Sequence, residues 1–284
     1  MSMYADCHIH MVLDGANWKA AIRRHSGRPD RDWIRDRLED YRRAGFTYLR
    51  DGGDRWGVGA EVRAMAPEYG ILYRTPLAPL CARGHYGAFI GQTYDSVSEY
   101  TALVGEWKAR GADFIKIMIS GLMDFDRFGV LTEAGLDGKI IASLVDIAHQ
   151  AGLRVMAHAN GSEAVIAAAE AGVDSVEHGA YLNREALEAM AEREVVWVPT
   201  LSTVGNLRGK GRFREETVEA ILDSAMENVR CFATLGGLIA PGSDAGAWAV
   251  PHGGLWEYEL LEQTLGAETG RTLEKGIRAI RERF

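Results

Sequence analysis

The chain has 284 residues, 47% of them hydrophobic and 25% charged, a composition that supports one sizeable core and argues against extended disorder. Its formal charge of −8 disfavours a broad basic surface that would neutralise phosphates, which argues against sequence-independent nucleic-acid binding and points to small-molecule partners. Three cysteines, Cys7, Cys81 and Cys231, without CxxC spacing indicate no disulfide framework, and neither a signal-like segment nor a membrane-length apolar run is present, so a cytoplasmic protein away from the membrane is expected.

In chain order, eight apolar or β-branched runs are expected as strands: 3–10, 46–52, 71–80, 113–120, 153–159, 173–179, 195–201 and 236–246. Between them lie amphipathic helical patterns such as DRDWIRDRLEDYRRAG, SVSEYTALVGEWKARG, GKIIASLVDIAHQAG, GSEAVIAAAEAG and NREALEAMAERE. Gly45, Gly111, Gly152 and Gly172 stand where left-handed C-terminal caps belong, and Asn160, Asn183 and Asp95 or Ser96 where N-terminal caps belong. No linker-like composition interrupts the rhythm, so residues 1–284 are expected to form one α/β domain. Eight alternations favour a (β/α)8 TIM barrel over an open doubly wound sheet.

Five of the runs end in a side chain that can bind a metal: CHIH (His8, His10), FIKIM (Lys116), VMAH (His158), VEHG (His178) and GSDAG (Asp244). In a barrel, the carboxyl ends of the strands gather at one mouth, so residues far apart in sequence converge there. Imidazole, carboxylate and a carbamylated lysine suit zinc, manganese or iron. Strand alternation places His8 and His10 on one face and turns Cys7 and Ile9 toward the helices. Taken singly, each histidine is as well explained by a hydrogen-bonded core residue, and Asp244 by a turn. Lys116 is harder to explain so, because an ammonium between Phe114, Ile115, Ile117 and Met118 is costly to bury unless paired, neutralised or modified. Asp51 is the available ion-pair partner, and carbamylation by carbon dioxide is the alternative.

The phrases DCHIH, IKIMISG, MAHANG, VEHGAYL, VPTL and GSDAG resemble the amidohydrolase superfamily, in the branch of imidazolonepropionase-related and Xaa-Pro dipeptidase-like enzymes. The resemblance spans the barrel and lacks the accessory β-sandwich that relatives build from segments outside it. It leaves surface that a homo-oligomer would cover. It implies a metal-binding, binuclear hydrolase with two divalent ions, zinc foremost, and a carboxylated lysine. His8, His10 and Asp244 would hold one ion and His158 and His178 the other, with carbamylated Lys116 and a hydroxide bridging them. Such a hydroxide attacks the carbonyl of an amide, dipeptide or cyclic amide, with Asp244 carrying the proton to the leaving nitrogen.

Arg83, His85 and Tyr86 after strand 3, Tyr181 after strand 6 and His252 after strand 8 are the substrate-binding candidates, with solvated loop roles as the alternative. The basic segment 208–214, containing Arg208, Lys210, Arg212 and Arg214, is expected near the mouth, where it would draw an anionic substrate or simply be a solvated loop; Asp124 and Asp126 would line the same mouth or cap a helix. Other readings are a mononuclear deaminase, with Glu163 as its nearest candidate acid, a lactone or phosphotriester hydrolase, and a Schiff-base aldolase using Lys116.

Overall fold

The computed structural model describes residues 4–284. The elements run β1 (Tyr4–Ile9), α1 (Trp18–Arg24), α2 (Arg31–Ala44), β2 (Phe46–Asp51), α3 (Val58–Met65), β3 (Leu72–Arg74), β4 (Leu80–Ala82), β5 (Gln92–Tyr94), α4 (Val97–Ala109), β6 (Ile115–Met118) and α5 (Gly138–Gln150). They continue as β7 (Val155–Ala159), α6 (Ser162–Glu170), β8 (Ser175–His178), α7 (Arg184–Glu192), β9 (Val196–Val198), α8 (Ser202–Gly205), α9 (Glu215–Thr234), β10 (Leu238–Ile239), α10 (Trp256–Leu265) and α11 (Thr269–Arg283). All strand pairs are parallel, in the orders β1-β2-β3 and β10-β9-β8-β7-β6-β4-β5.

These two sheets are arcs of one ring. The third barrel strand is expected over 71–80, yet pairing stops after Arg74 and resumes at Leu80. Pro76 and Pro79 lie in the gap, and proline has no N–H to give a ladder. Asp113 spans the gap, its N–H donating to Thr75 O at 3.0 Å and its carboxylate accepting from Thr75 N at 2.9 Å. The ring closes between β1 and the stretch after β10, where Cys7 N donates to Pro241 O, Asp244 N to His8 O and His10 N to Ala245 O at 2.7–2.8 Å. That gives the eight-stranded α/β barrel expected from the sequence, with β5 added against β4.

Helices form where apolar spacing gives one buried stripe. In α2 the buried Ile34, Leu38 and Tyr41 fall at i, i+4 and i+7, Asp30 caps the first turn, and Gly45 ends the helix at φ 90°. Gly111, Gly152 and Gly172 also lie at positive φ, while Asn183 and Ser96 cap their helices as their positions suggest. Asn160 is not the cap of α6, a role left to Gly161; its side chain instead accepts from Ala180 N and donates to Gly121 O. No described helix is long and apolar enough to cross a membrane.

The barrel interior changes character along its axis. At the floor, Ala5, Tyr48, Phe114, Met156, Val196, Val198 and Ala240 pack with Ile280 and Phe284 of the final helix and its end. Cys7 belongs to this inner cluster, whereas alternation sends it toward the helices. The β1–β2 register shifts between Asp6 and Ile9, a bulge that lets Cys7 and His8 face inward in succession while Ile9 packs outward.

Helix α11 reaches the floor because Gly276 has no side chain: a Cβ there would come within 1.9 Å of Ile239 O in β10. Glycine to alanine in a helix ordinarily gains up to about 1 kcal/mol. Here Gly276→Ala is expected to lower stability by roughly 1–3 kcal/mol through overpacking, read as a lower urea midpoint.

Candidate metal centre

Each ligand candidate reaches the mouth for a local reason. On β6, Ile115 and Ile117 pack into the outer core and Lys116 points inward, as strand alternation requires. His8 and His10 follow the β1 bulge, and the His10 ring lies against Gly52, where a Cβ would stand 2.2 Å from the imidazole Cε1. His178 and Asp244 take left-handed backbone at φ 69° and 56°, as does Thr200 at φ 50°. Residues held so cost on the order of 1–3 kcal/mol each and cluster at functional sites. On β8, Ser175 and Glu177 point into the barrel; the turn at His178 brings its ring to the same cavity despite the odd spacing.

The result is one polar cluster. His8, His10 and Asp244 offer ligand atoms all within 4.8 Å of one another. His8 Nε2 lies 3.6 Å and His10 Nε2 3.4 Å from Asp244 Oδ1. The imidazoles continue in a chain, with ring centres 5.3 Å apart for His10 and His8, 5.0 Å for His8 and His178, and 4.6 Å for His178 and His158. His178 Nδ1 is 2.8 Å from Thr200 Oγ1, and His158 Nε2 is 3.2 Å from Gly121 O.

Electrostatics suit a cation. Burial, then the nearby Lys116, holds His10 and His158 down to about 3, and His8 well below the usual imidazole range. Burial and the neighbouring histidines do the same to His178. All four rings are therefore neutral near pH 7, with lone pairs to give. Burial pushes Asp244 up and Lys116 down, each opposed by the other's charge. Lys116 is 1% exposed, yet its Nζ has no hydrogen-bond partner, and Asp244 Oδ1 shares that lack. Such orphaned atoms in a buried cluster of histidines fit a divalent ion and its ligands. Asp51 does not serve as the lysine's partner; its Oδ1 accepts from Met11 N at 3.3 Å.

Sequence reasoning missed Glu177. Its carboxylate is fully buried, with Oε1 accepting from Arg50 Nη2 at 2.8 Å and Ser175 Oγ at 2.6 Å. Oε2 stands 2.8 Å from His8 Nδ1, although outside hydrogen-bond alignment with the ring. Arg50 also donates to Cys7 O and Ser175 Oγ and lies 4.4 Å over the Phe284 ring. A carboxylate behind a ligating imidazole sets ring orientation and raises its basicity. The signal was present in the sequence: opposite charges inside two apolar strands, FTYLRDG and VDSVEHG, must find each other or another partner. Asp6 and Ser243 fix the backbone on either side of Asp244, with Ser243 N donating to Asp6 Oδ1 at 2.8 Å and Ala245 N to Ser243 Oγ at 3.0 Å.

The cluster forms the base of a cavity of about 650 Å³ whose outer walls include Trp18, Phe89, Phe125, Phe213 and Trp248. Of the five substrate-binding candidates, Tyr86 lines it, its ring 4.9 Å from that of His158. The other four are not brought to the cavity wall. Arg83 is exposed and paired with Asp95, and His85 lies 3.6 Å from Glu133. Tyr181 packs on Phe128, and His252 has both ring nitrogens engaged, by Tyr41 Oη and Leu13 O. Asp124 and Asp126 also stay off the wall; Asp124 pairs with Arg127, and Asp126 Oδ1 accepts from Arg214 N.

No protein-family model matches the chain. It is 27% identical over 214 residues to the ochratoxinase of Aspergillus niger, covering 68% of this chain and 42% of that protein. Among solved structures, a Xaa-Pro dipeptidase with bound methionine matches with a TM-score of 0.77 at 22% identity, over 98% of this chain and 74% of that one. The A. niger ochratoxinase structure matches with a TM-score of 0.74 at 21% identity, over 97% and 68% of the two chains. The chain has the fold of the amidohydrolase superfamily. Molinate hydrolase shares the amidohydrolase-like barrel at 16% identity, with a TM-score of 0.68 over 98% of this chain and 73% of that one. The chain spans less than half the length of the ochratoxinase sequence it matches.

Proposed function

We propose that this amidohydrolase-like barrel is a metal-dependent hydrolase that cleaves a C–N bond in a small molecule, an amide, dipeptide or cyclic amide. The observation that carries the reading is the buried, unpartnered Lys116 among four neutral imidazoles and Asp244. Its lowered affinity for protons has the direction that carbamate formation needs, since carbon dioxide adds to the free amine. A carbamate would replace a buried amine that no hydrogen bond satisfies with an anion facing the histidines. His8, His10 and Asp244 would hold one divalent ion, zinc by preference and manganese or iron otherwise, and His158 and His178 a second, with the Lys116 carbamate contributing to both. Bound there, the metals would supply Lewis-acid polarisation of the carbonyl and water acidified toward neutral pH.

The protein's own groups account for the proton. Asp244 is held at the centre by its N–H to His8 O at 2.7 Å and stands beside the first ligand pair. It would take the proton from the attacking water and deliver it to the leaving nitrogen as the C–N bond breaks. The ochratoxinase and dipeptidase likenesses are consistent with this bond type. The cavity has the size range of small-molecule sites.

The deaminase reading is weaker because Glu163 sits exposed in the first turn of α6, away from the cavity wall. Metal content decides between them. Protein prepared with zinc, manganese and bicarbonate is expected to carry about two ions per chain, falling to one or none in Lys116→Ala. One ion unchanged by the substitution would favour the deaminase, and no ion in the wild type would sink the hydrolase. Borohydride trapping of a carbonyl compound on Lys116 would restore the aldolase reading. Activity on lactones or phosphotriesters but not amides would move the proposal to those bonds.

A further inference from the structure

Glu257 is a buried carboxylate that the hydrolytic chemistry leaves unused. It stands in the first turn of α10 and is 2% exposed. Its partners lie on the turn that leads from β9 into α8. Oε1 accepts from Leu201 N at 3.1 Å, Oε2 accepts from Ser202 N at 2.8 Å, and Ser202 Oγ is 2.7 Å from Oε2. The residue before α8 gives it no side-chain cap, so a side chain 55 positions further along satisfies its first N–H groups. That turn needs holding. Thr200 takes left-handed backbone at φ 50°, which a β-branched residue adopts only where its surroundings impose it. Thr200 O accepts from Thr203 N at 3.0 Å and from Thr203 Oγ1 at 2.8 Å, and the Glu257 carboxylate pins the next two N–H groups.

The strained turn delivers the Thr200 hydroxyl to His178, which lines the cavity. Oγ1 lies 2.8 Å from His178 Nδ1, while Trp197 Nε1 donates to His178 O at 3.0 Å. Ring and main chain of His178 are thus both braced from β9 and its turn. A neutral imidazole carries one N–H; with Nδ1–H donated to the hydroxyl oxygen, the lone pair is on Nε2. The reverse tautomer would put the N–H on Nε2, which has no protein acceptor among the described residues. We infer that Glu257 is a positioning residue for His178: by holding the left-handed Thr200 turn it fixes the Nδ1–H tautomer and leaves the Nε2 lone pair for a ligand in the cavity. The consequence for metal affinity rests on the metal-dependent reading of the site, whereas the tautomer does not.

Ring-nitrogen NMR of histidine-labelled, metal-free protein near neutral pH reads the tautomer, and competition with a chelator reads zinc affinity. Thr200→Val keeps the shape of the side chain and removes the hydroxyl, Thr200→Ser keeps the hydroxyl, and Glu257→Gln takes the acceptor from Ser202 N. Glu257→Asp, which withdraws the carboxylate by one methylene without changing its charge, is the milder second variant. Wild type and Thr200→Ser are expected to hold His178 as Nδ1–H, while Thr200→Val and both Glu257 variants show a mixture with Nε2–H. Thr200→Val should weaken one bound zinc ion about 10- to 100-fold, and Glu257→Gln about 3- to 10-fold. A Glu257 that served stability alone would lower the urea midpoint and leave the tautomer in place. If it acts through Thr200, Glu257→Gln should move neither tautomer nor zinc affinity further in a Thr200→Val background. His178 held as Nε2–H in the wild type, a tautomer unmoved by both Glu257 variants, or additive losses in the double variant would overturn the inference. The two readings fail separately. Zinc bound by protein whose tautomer ignores Glu257 would remove the inference and leave the metal site, and a Glu257-dependent tautomer in protein that binds no zinc would do the reverse.

Discussion

Asp244→Asn is expected to lower kcat by about 10²- to 10⁴-fold, the usual worth of a positioned general acid–base. The substitution isolates the carboxylate from the fold. Asparagine is among the few residues that accept left-handed backbone, so φ 56° at this position is retained. The bond from residue 244 N to His8 O is made by the main chain and survives. What changes is the charge and basicity 3.4 Å from His10 Nε2 and 3.6 Å from His8 Nε2. An amide oxygen can still ligate, though more weakly, so metal content must be measured on the same preparation. Loss of turnover with the wild-type metal content of about two ions retained would place the proton step on Asp244. Turnover within a few-fold of wild type, with metal retained, would mean that another group moves the proton.

How far the sequence disclosed this site depends on which physical rule governs each residue. Hydrophobic periodicity governs strands, so the eight barrel positions and the inward direction of Lys116 and His158 follow from it. Periodicity fails where the backbone departs from regular pleat. The β1 bulge turns Cys7 inward, Pro76 and Pro79 split the third strand, and left-handed turns redirect His178 and Asp244. A reading by alternation finds either Glu177 or His178 on β8, never both, and the metal-ligand motif favours the histidine. Loop residues obey no period at all. Arg83, His85, Tyr181 and His252 stand at strand ends, as the sequence indicates, but local partners such as Asp95, Glu133, Phe128 and Tyr41 set their directions. The aromatic wall was illegible for the same reason, since Trp18, Phe125 and Trp248 come from three separate loops or their edges.

The buried pair behind His8 sets the second large effect. Arg50 and Glu177 are both fully excluded from solvent, and each guanidinium nitrogen donates once, to Cys7 O, Ser175 Oγ and Glu177 Oε1. Removing one member of such a pair leaves the other charge uncompensated and costs roughly 3–5 kcal/mol. Glu177→Ala is therefore expected to bring the urea midpoint down sharply, in metal-free protein as well as loaded protein. Glu177→Gln keeps the acceptor toward Arg50 and Ser175, so its loss of stability should be smaller. It also removes the negative charge 2.8 Å from His8 Nδ1, and an outer carboxylate lost in this way typically weakens a metal site about 10- to 100-fold. The two variants thus separate two jobs of one side chain. Glu177→Gln protein that is folded but binds zinc at least about tenfold more weakly would assign Glu177 to the metal site through His8. If its zinc affinity matches wild type while Glu177→Ala unfolds readily, the carboxylate serves the Arg50 charge alone. In that case, replacing Arg50 and Glu177 together by apolar residues of similar volume should recover most of the stability, because a buried ion pair is far cheaper to replace whole than to break.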